Sequence, residues 1–231
     1  MKNFYQDRNI VITGATSGLG RALALRLHHL GAHVAGVARG AAGLASLRHE
    51  APRALTIQAD VSRAEEIYPL AGEIQAKLGD VDILFNVASD LGPVPLRLLA
   101  DTECEDFERA LRTNVLGPHR LTRALLAPML LRGSGLVVNV SSDAAVNAYP
   151  RWGAYGASKA AVDHLSRVLD EELKEAGVRC LSVDPGDMRT PMHFAAVPDA
   201  DPARLRDPAE SAERLLELIA RNDFSQVRRI L

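Results

Sequence analysis

Tyr155 and Lys159 stand four residues apart in the stretch RWGAYGASKAAVDHL, residues 151–165. On a helix that spacing puts both side chains on one face, so the ammonium can sit beneath the phenol. A free tyrosine, with a pKa of about 10, moves protons poorly near neutrality. A positive charge about 4 Å away is worth roughly 4 kcal/mol at an effective dielectric constant of about 20, or about three pKa units before desolvation takes part back. The pair is therefore capable of general acid–base chemistry at a carbonyl or hydroxyl oxygen. The alternative is a solvated surface pair. Position favours chemistry, because the pair opens the helix that follows a fifth strand ending in NVSSDAA.

A second stretch, TGATSGLG from Thr13 to Gly20, joins the first strand to a helix. Its glycines Gly14, Gly18 and Gly20 let the turn tighten and the backbone approach a pyrophosphate, whose charge suits the free N–H groups of a helix start. Thr16, Ser17 and Leu19 lie in the same turn and count with the glycines as cofactor-binding candidates. The second strand ends in VARG, with Ala38 where an NAD site supplies a carboxylate and Arg39 next to it. A ribose 2′-phosphate needs that acid absent and an arginine near, so NADP(H) is expected over NAD(H).

These groups need a frame. Apolar, β-branched runs occur at residues 9–13, 33–38, 54–59, 81–86, 135–141 and 178–184, with helical patterns near 18–30, 62–78, 101–131 and 153–176, and a last helix at PAESAERLLELIA. Strands apolar throughout and separated by helices predict a doubly wound α/β fold, a parallel sheet covered on both faces. Ligands of such sheets bind beyond the carboxyl ends of the strands.

Composition sets outer bounds. The 231 residues suit one domain, 1–231, and 27 Lys+Arg against 29 Asp+Glu leave no general electrostatic footprint for nucleic acid or membrane surfaces. A small-molecule ligand is the better expectation. Two distant cysteines argue against a disulfide framework or cysteine-rich zinc site, and no signal-like or membrane-length apolar run is present, which predicts a soluble, cytoplasmic protein.

The glycine spacing T-G-x-x-x-G-x-G, with Tyr155 and Lys159 as Y-x-x-x-K, resembles the short-chain dehydrogenase/reductase family over about residues 8 to 192. The resemblance implies hydride transfer between NADP(H) and a carbonyl or secondary alcohol, with Tyr155 as general acid/base. Lys159 would lower its pKa and bind the nicotinamide ribose, and Ser142, thirteen residues before Tyr155, would polarise the substrate oxygen; Ser141 is the lesser candidate. It assigns Asn114 to a water-mediated proton relay, whereas the residues alone suggest a solvated helix position near a kink at Pro118. It gives Asp60 and Val61 to the adenine, where the residues alone favour a helix cap at Asp60. Asn86 and Ala88 would meet the cofactor, Pro185 and Gly186 would shape the nicotinamide pocket, and Thr190 would bind its carboxamide. Homodimers or homotetramers are common in the family.

Three departures stand out. NVAS, Asn86 to Ser89, replaces the family's N-N-A-G, removing an asparagine at Val87 and adding a side chain at Ser89. Asp184 stands where an uncharged residue is common and is expected to cap a backbone N–H. Only FSQVRRIL follows the last helix, so a seventh strand is either a short edge or missing. The proline-punctuated stretch 187–208 is read as a substrate lid, with Met188, Met192 and Phe194 for apolar substrates or Arg189 and His193 for acidic ones, and Trp152 and Tyr149 opposite. The rival to an enzyme is a catalytically idle NADP(H)-binding regulatory or assembly protein on the same fold.

Overall fold

The computed structural model describes residues 1–222 and 224–231. In chain order its elements are α1 (Lys2–Tyr5), β1 (Asn9–Thr13), α2 (Gly18–His29), β2 (His33–Ala38), α3 (Ala41–Glu50), β3 (Leu55–Gln58), α4 (Ala64–Leu78) and β4 (Ile83–Asn86). There follow α5 (Cys104–Leu111), α6 (Gly117–Arg132), β5 (Gly135–Val140), α7 (Gly153–Leu173), β6 (Val178–Asp184), α8 (Pro191–Ala196), α9 (Pro208–Ala220) and β7 (Arg228–Ile230). Seven parallel strands form one sheet in the order β3-β2-β1-β4-β5-β6-β7. The order reverses between β1 and β4, which opens the crevice where a ligand fits.

Period-two alternation distributes the apolar strands to both faces. Ile10, Ile12, Ile83, Phe85 and Val138 face one layer with Leu23 and Leu27 of α2 and Leu215, Leu216 and Ile219 of α9. Val11, Val37, Leu84 and Val137 face the other, with Ile67 and Ile74 of α4 and Leu121 and Leu125 of α6. Both faces are dry, as near-continuous apolar strands require.

Helix α3, absent from the sequence reading, buries only Leu44 and Leu47, and Gly40 and Gly43 further blur its period. The helix expected over 101–131 is broken into α5, a π turn (Arg112–Leu116) and α6. Pro118 has no N–H to give the Asn114 carbonyl four residues earlier, and the extra residue of the wider turn carries Thr113 and Asn114 inward. The seventh strand is present and short: Arg228, Arg229 and Ile230 pair with Ser182, Val183 and Asp184 of β6. The stretch 187–208 contains α8, a 3-10 turn (Pro202–Arg204) and a bridge between Met188 and Arg206, more ordered than its prolines suggested.

Candidate active site

A cleft of about 640 Å³ lies at the carboxyl ends of the strands. The turn after β1 forms one wall. Gly14 and Gly18 adopt φ of +68° and +49°, open to glycine without strain. At Gly20 a Cβ would sit 2.3 Å from the Gly14 carbonyl oxygen, so α2 can start this close to β1 only without a side chain. Ser17 is the N-cap of α2, yet its hydroxyl does not cap the helix N–H groups, which remain for an anion. The turn thus fits the pyrophosphate of a dinucleotide. Gly20→Ala is expected to force the turn open, lowering stability by about 1–3 kcal/mol and weakening dinucleotide binding; a thermal melt and a fluorescence titration check both.

Arg39 lines the same cleft next to Ala38 and has no ion-pair partner among the described residues. Asp60 and Val61 line it too. The Asp60 carboxylate closes a local turn on the Ser62 N–H at 2.9 Å and hydroxyl at 2.8 Å, ahead of α4 rather than as its cap residue, which is Arg63.

At the other end of the cleft stand Ser142, Tyr155 and Lys159. Tyr155 and Lys159 share one face of α7, where both are buried. The Lys159 ammonium donates to the Val140 carbonyl at 2.7 Å and lies 5.4 Å from the centre of the Tyr155 ring. Burial pushes Lys159 down to about 8, with Asp163 acting the other way. The expected lowering of the Tyr155 pKa by Lys159 is not the net result in the chain itself. Burial dominates and pushes the phenol up to about 12, against hydrogen bonding from Ser142 and Ser89, and Asp184 and Asp143 add to the rise. The physical reason is that the ammonium sits over the ring face, bound to a backbone carbonyl, while the hydroxyl has lost its water.

Ser142 follows β5 and caps the 3-10 turn Asp143–Ala145, accepting the Ala144 N–H at 3.2 Å and donating to the Asp143 carboxylate at 3.0 Å. The second Asp143 oxygen accepts the Tyr149 hydroxyl at 2.7 Å. Ser141 is buried with no partner for its hydroxyl among the described residues. Pro185, Gly186, Thr190 and Ala88 also line the cleft. Thr190 caps α8 through the His193 N–H at 3.2 Å, and Asp184 caps the Gly186 N–H at 3.0 Å, as its position suggested.

Two candidates lie elsewhere than expected. The Asn86 amide donates to Asn139 at 2.8 Å, and the residue does not line the cleft. Alternation along β4 puts it on the Leu84 side, toward α6. Asn114 is not a solvated helix residue but is 1% exposed. Its amide donates to the Asp90 carbonyl and the Ser158 hydroxyl, both at 2.8 Å, and its oxygen accepts from the Asp90 N–H at 2.7 Å and the Ser89 hydroxyl at 3.2 Å. Asn114 therefore lies behind the cleft wall, bonded to the Ser89 hydroxyl.

The sequence departure at 86–89 has a local answer. The Val87 and Ala88 N–H groups both donate to the Thr13 hydroxyl, at 3.0 and 3.2 Å, so backbone groups tie this loop to β1 without a second asparagine. Ser89, read from the sequence only as an added side chain, donates to Asn114 at 3.2 Å and helps lower the Tyr155 pKa; Asp143 has no signal in the sequence reading. In the stretch 187–208, Met188, Met192 and His193 line the cleft with Trp152 and Tyr149, whereas Arg189 is paired with Asp207 at 3.1 Å and Phe194 lies outside the lining. Among the described residues no helix is long and apolar enough to cross a membrane, and no cluster of metal-ligating side chains occurs.

Residues 8–201 match a family model described as short chain dehydrogenase. The chain is 33% identical over 191 residues, 80% of its length and 76% of the relative's, to 2-(R)-hydroxypropyl-CoM dehydrogenase of Xanthobacter autotrophicus. A short chain dehydrogenase of Escherichia coli CFT073 complexed with NADPH superposes with a TM-score of 0.86 at 27% identity, covering 95% of this chain and 93% of that one. A 3-ketoacyl-(acyl-carrier-protein) reductase of Brucella melitensis complexed with NADH also gives 0.86, at 29% identity, covering 93% and 91%.

Proposed function

The chain belongs to the short-chain dehydrogenase/reductase family of NAD(P)-dependent oxidoreductases, and from that premise we propose that it reduces a carbonyl, or oxidises the matching secondary alcohol, with NADP(H) and Tyr155 as general acid/base. The observation that carries the reading is the meeting, in one cleft, of the glycine turn and Arg39 at one end with Ser142, Tyr155 and Lys159 at the other. When bound, the nicotinamide supplies or accepts the hydride. Tyr155, protonated at neutral pH by its burial, donates to the oxygen of a carbonyl being reduced. Ser142 turns its hydroxyl from Asp143 to the same oxygen and orients it. The Lys159 ammonium, one helical turn away, favours the phenolate that remains and offers a donor to a ribose hydroxyl. Asn114 keeps Ser89 and the α5–α6 break in place behind them. Thr190, Pro185 and Gly186 close the nicotinamide end, and Asp60, Val61 and Ala88 border the adenosine end.

The preference for the phosphorylated cofactor rests on this chain's own residues, since both nicotinamides occur in solved relatives. Arg39 faces the cleft where Ala38 leaves no acid to accept ribose hydroxyls. Arg39→Ala is expected to raise the NADPH Kd about tenfold, the worth of one charge-assisted phosphate contact, and to leave NADH unchanged. Equal losses for both cofactors in a fluorescence titration would contradict it. The segment 187–208 serves as the substrate lid of a single domain, with Met188, Met192 and His193 facing the substrate. A cytoplasmic homo-oligomer completes the reading, supported by Leu130 and Leu131 left exposed on α6. The test is a panel of ketones, aldehydes and alcohols followed by the NADPH absorbance, with turnover of at least one class expected.

A further inference from the structure

Strand β7 is three residues long, yet its first residue reaches the catalytic cluster from behind. The Arg228 guanidinium donates through Nε to the Asp163 carboxylate at 2.7 Å and through Nη2 to the Ser142 backbone carbonyl at 3.1 Å, and lies 3.5 Å from the Asp184 carboxylate. Both carboxylates are almost fully buried, with side chains 5% and 6% exposed. Asp163 lies one helical turn beyond Lys159 on α7, and Asp184 ends β6 beside the Pro185–Gly186 turn. Each commits its other oxygen locally, Asp163 to the Ser182 hydroxyl and Asp184 to the Gly186 N–H. Two buried like charges beside Tyr155 and Lys159, of which Asp184 borders the cleft, would be costly without a cation between them. Arg228 does not line the cleft and touches no reacting group.

We propose that Arg228 is a positioning residue: given the proposed roles of Ser142, Tyr155 and Lys159, on which this rests, it ties the Ser142 backbone to the sheet edge and neutralises the Asp163–Asp184 pair behind the phenol and the ammonium. The charged groups around the cluster are Lys159 and Asp163 from α7, Asp143 from the 3-10 turn, Asp184 from β6, Arg228 from β7, and Arg206, whose guanidinium donates to the Pro185 carbonyl at 3.1 Å. Asp184 and Asp143 both hold the proton on Tyr155, and Asp163 holds one on Lys159. Loss of Arg228 leaves Asp163 and Asp184 uncompensated, so in alcohol oxidation, where the phenolate is needed, the limb of the pH–rate profile moves to higher pH.

The test compares R228M, R228K and R228M/D184N with the wild type, with rates normalised to the NADPH-binding fraction. R228M is expected to lose kcat about tenfold or more, to keep KM for NADP+ within about twofold, and to shift its limb up by about one pH unit. R228M/D184N should return the limb toward the wild-type position, and R228K should hold the limb while recovering only part of kcat. Amide exchange over residues 143–146, whose Ala145 N–H shares the Ser142 carbonyl with Arg228, should quicken in R228M. An unmoved limb with normal kcat per bound NADPH, even with a lower melting temperature, would reduce Arg228 to a structural part and overturn the proposal. Exchange unchanged at that turn would overturn its anchoring half. If the wild type oxidised no alcohol, the reading of the site would fail instead, and the exchange data would still decide the anchoring.

Discussion

Tyr155→Phe is expected to lower kcat by about a thousandfold, within the range a single general acid/base supplies, while NADPH binding and melting temperature stay close to wild type. The asymmetry follows from what the substitution keeps. The Tyr155 ring packs edge-on to Trp152 at 5.7 Å and belongs to a small cluster with Leu91, Leu96 and Ala144, all contacts a phenylalanine retains. Only the hydroxyl is lost, and its neighbours have other partners, Ser142 in Asp143 and Ser89 in Asn114. Neither serine hydroxyl is left without a hydrogen bond. Because the phenol is pushed up to about 12 in the protein itself, it carries its proton throughout the neutral range. Carbonyl reduction should therefore draw on it without pH dependence from this group, whereas alcohol oxidation should quicken as pH rises. The residual activity of the variant should lose that rise. Steady-state kinetics in both directions, with a thermal melt, separate these expectations from unfolding.

Lys159→Met should give the opposite pairing of effects: a loss of activity of about a hundredfold or more with a gain in stability below about pH 8. Burial lowers the Lys159 pKa from 10.5 to about 8, so the folded state binds fewer protons than the unfolded state between those values. Stability then rises with pH across that window and is penalised in full below it. Methionine removes a penalty of roughly 3 kcal/mol, partly offset because the Val140 carbonyl loses its donor. The gain in melting temperature should be largest at neutral pH and shrink toward pH 10.5. An equal loss of stability at every pH would show that the ammonium is not carried as a strained charge. Such a cost, tolerated in a position facing the cleft, is what a functional cation looks like energetically.

Much of this arrangement is legible in the sequence. The six long strands read clearly because both faces of the sheet are covered, which makes each run apolar throughout, and the glycine turn read clearly because Gly20 tolerates no side chain against Gly14. Tyr155 and Lys159 were found because four-residue spacing on α7 is a local property. What escaped depended on distant partners. The inward turn of Asn114 needs the π bulge that Pro118 permits, and its four hydrogen bonds come from residues 24 to 44 positions away. Asn86, which the family resemblance gives to the cofactor, is sent by strand alternation to Asn139. Arg228 has no local signature, since its bonds to Asp163 and Asp184 exist only once β7 has paired with β6. Helix α3 was invisible for a simpler reason: two leucines and two glycines in eleven residues, 40–50, make no stripe.

The most direct test of hydride transfer at this cleft uses NADPH carrying deuterium at the transferable nicotinamide position, incubated with the carbonyl panel and the wild-type protein. Deuterium on the carbinol carbon of a product, formed about a thousandfold more slowly with Tyr155→Phe, is the expected result. Tight NADPH binding with no deuterium passed to any carbonyl would contradict it and leave a binding protein in place of an enzyme.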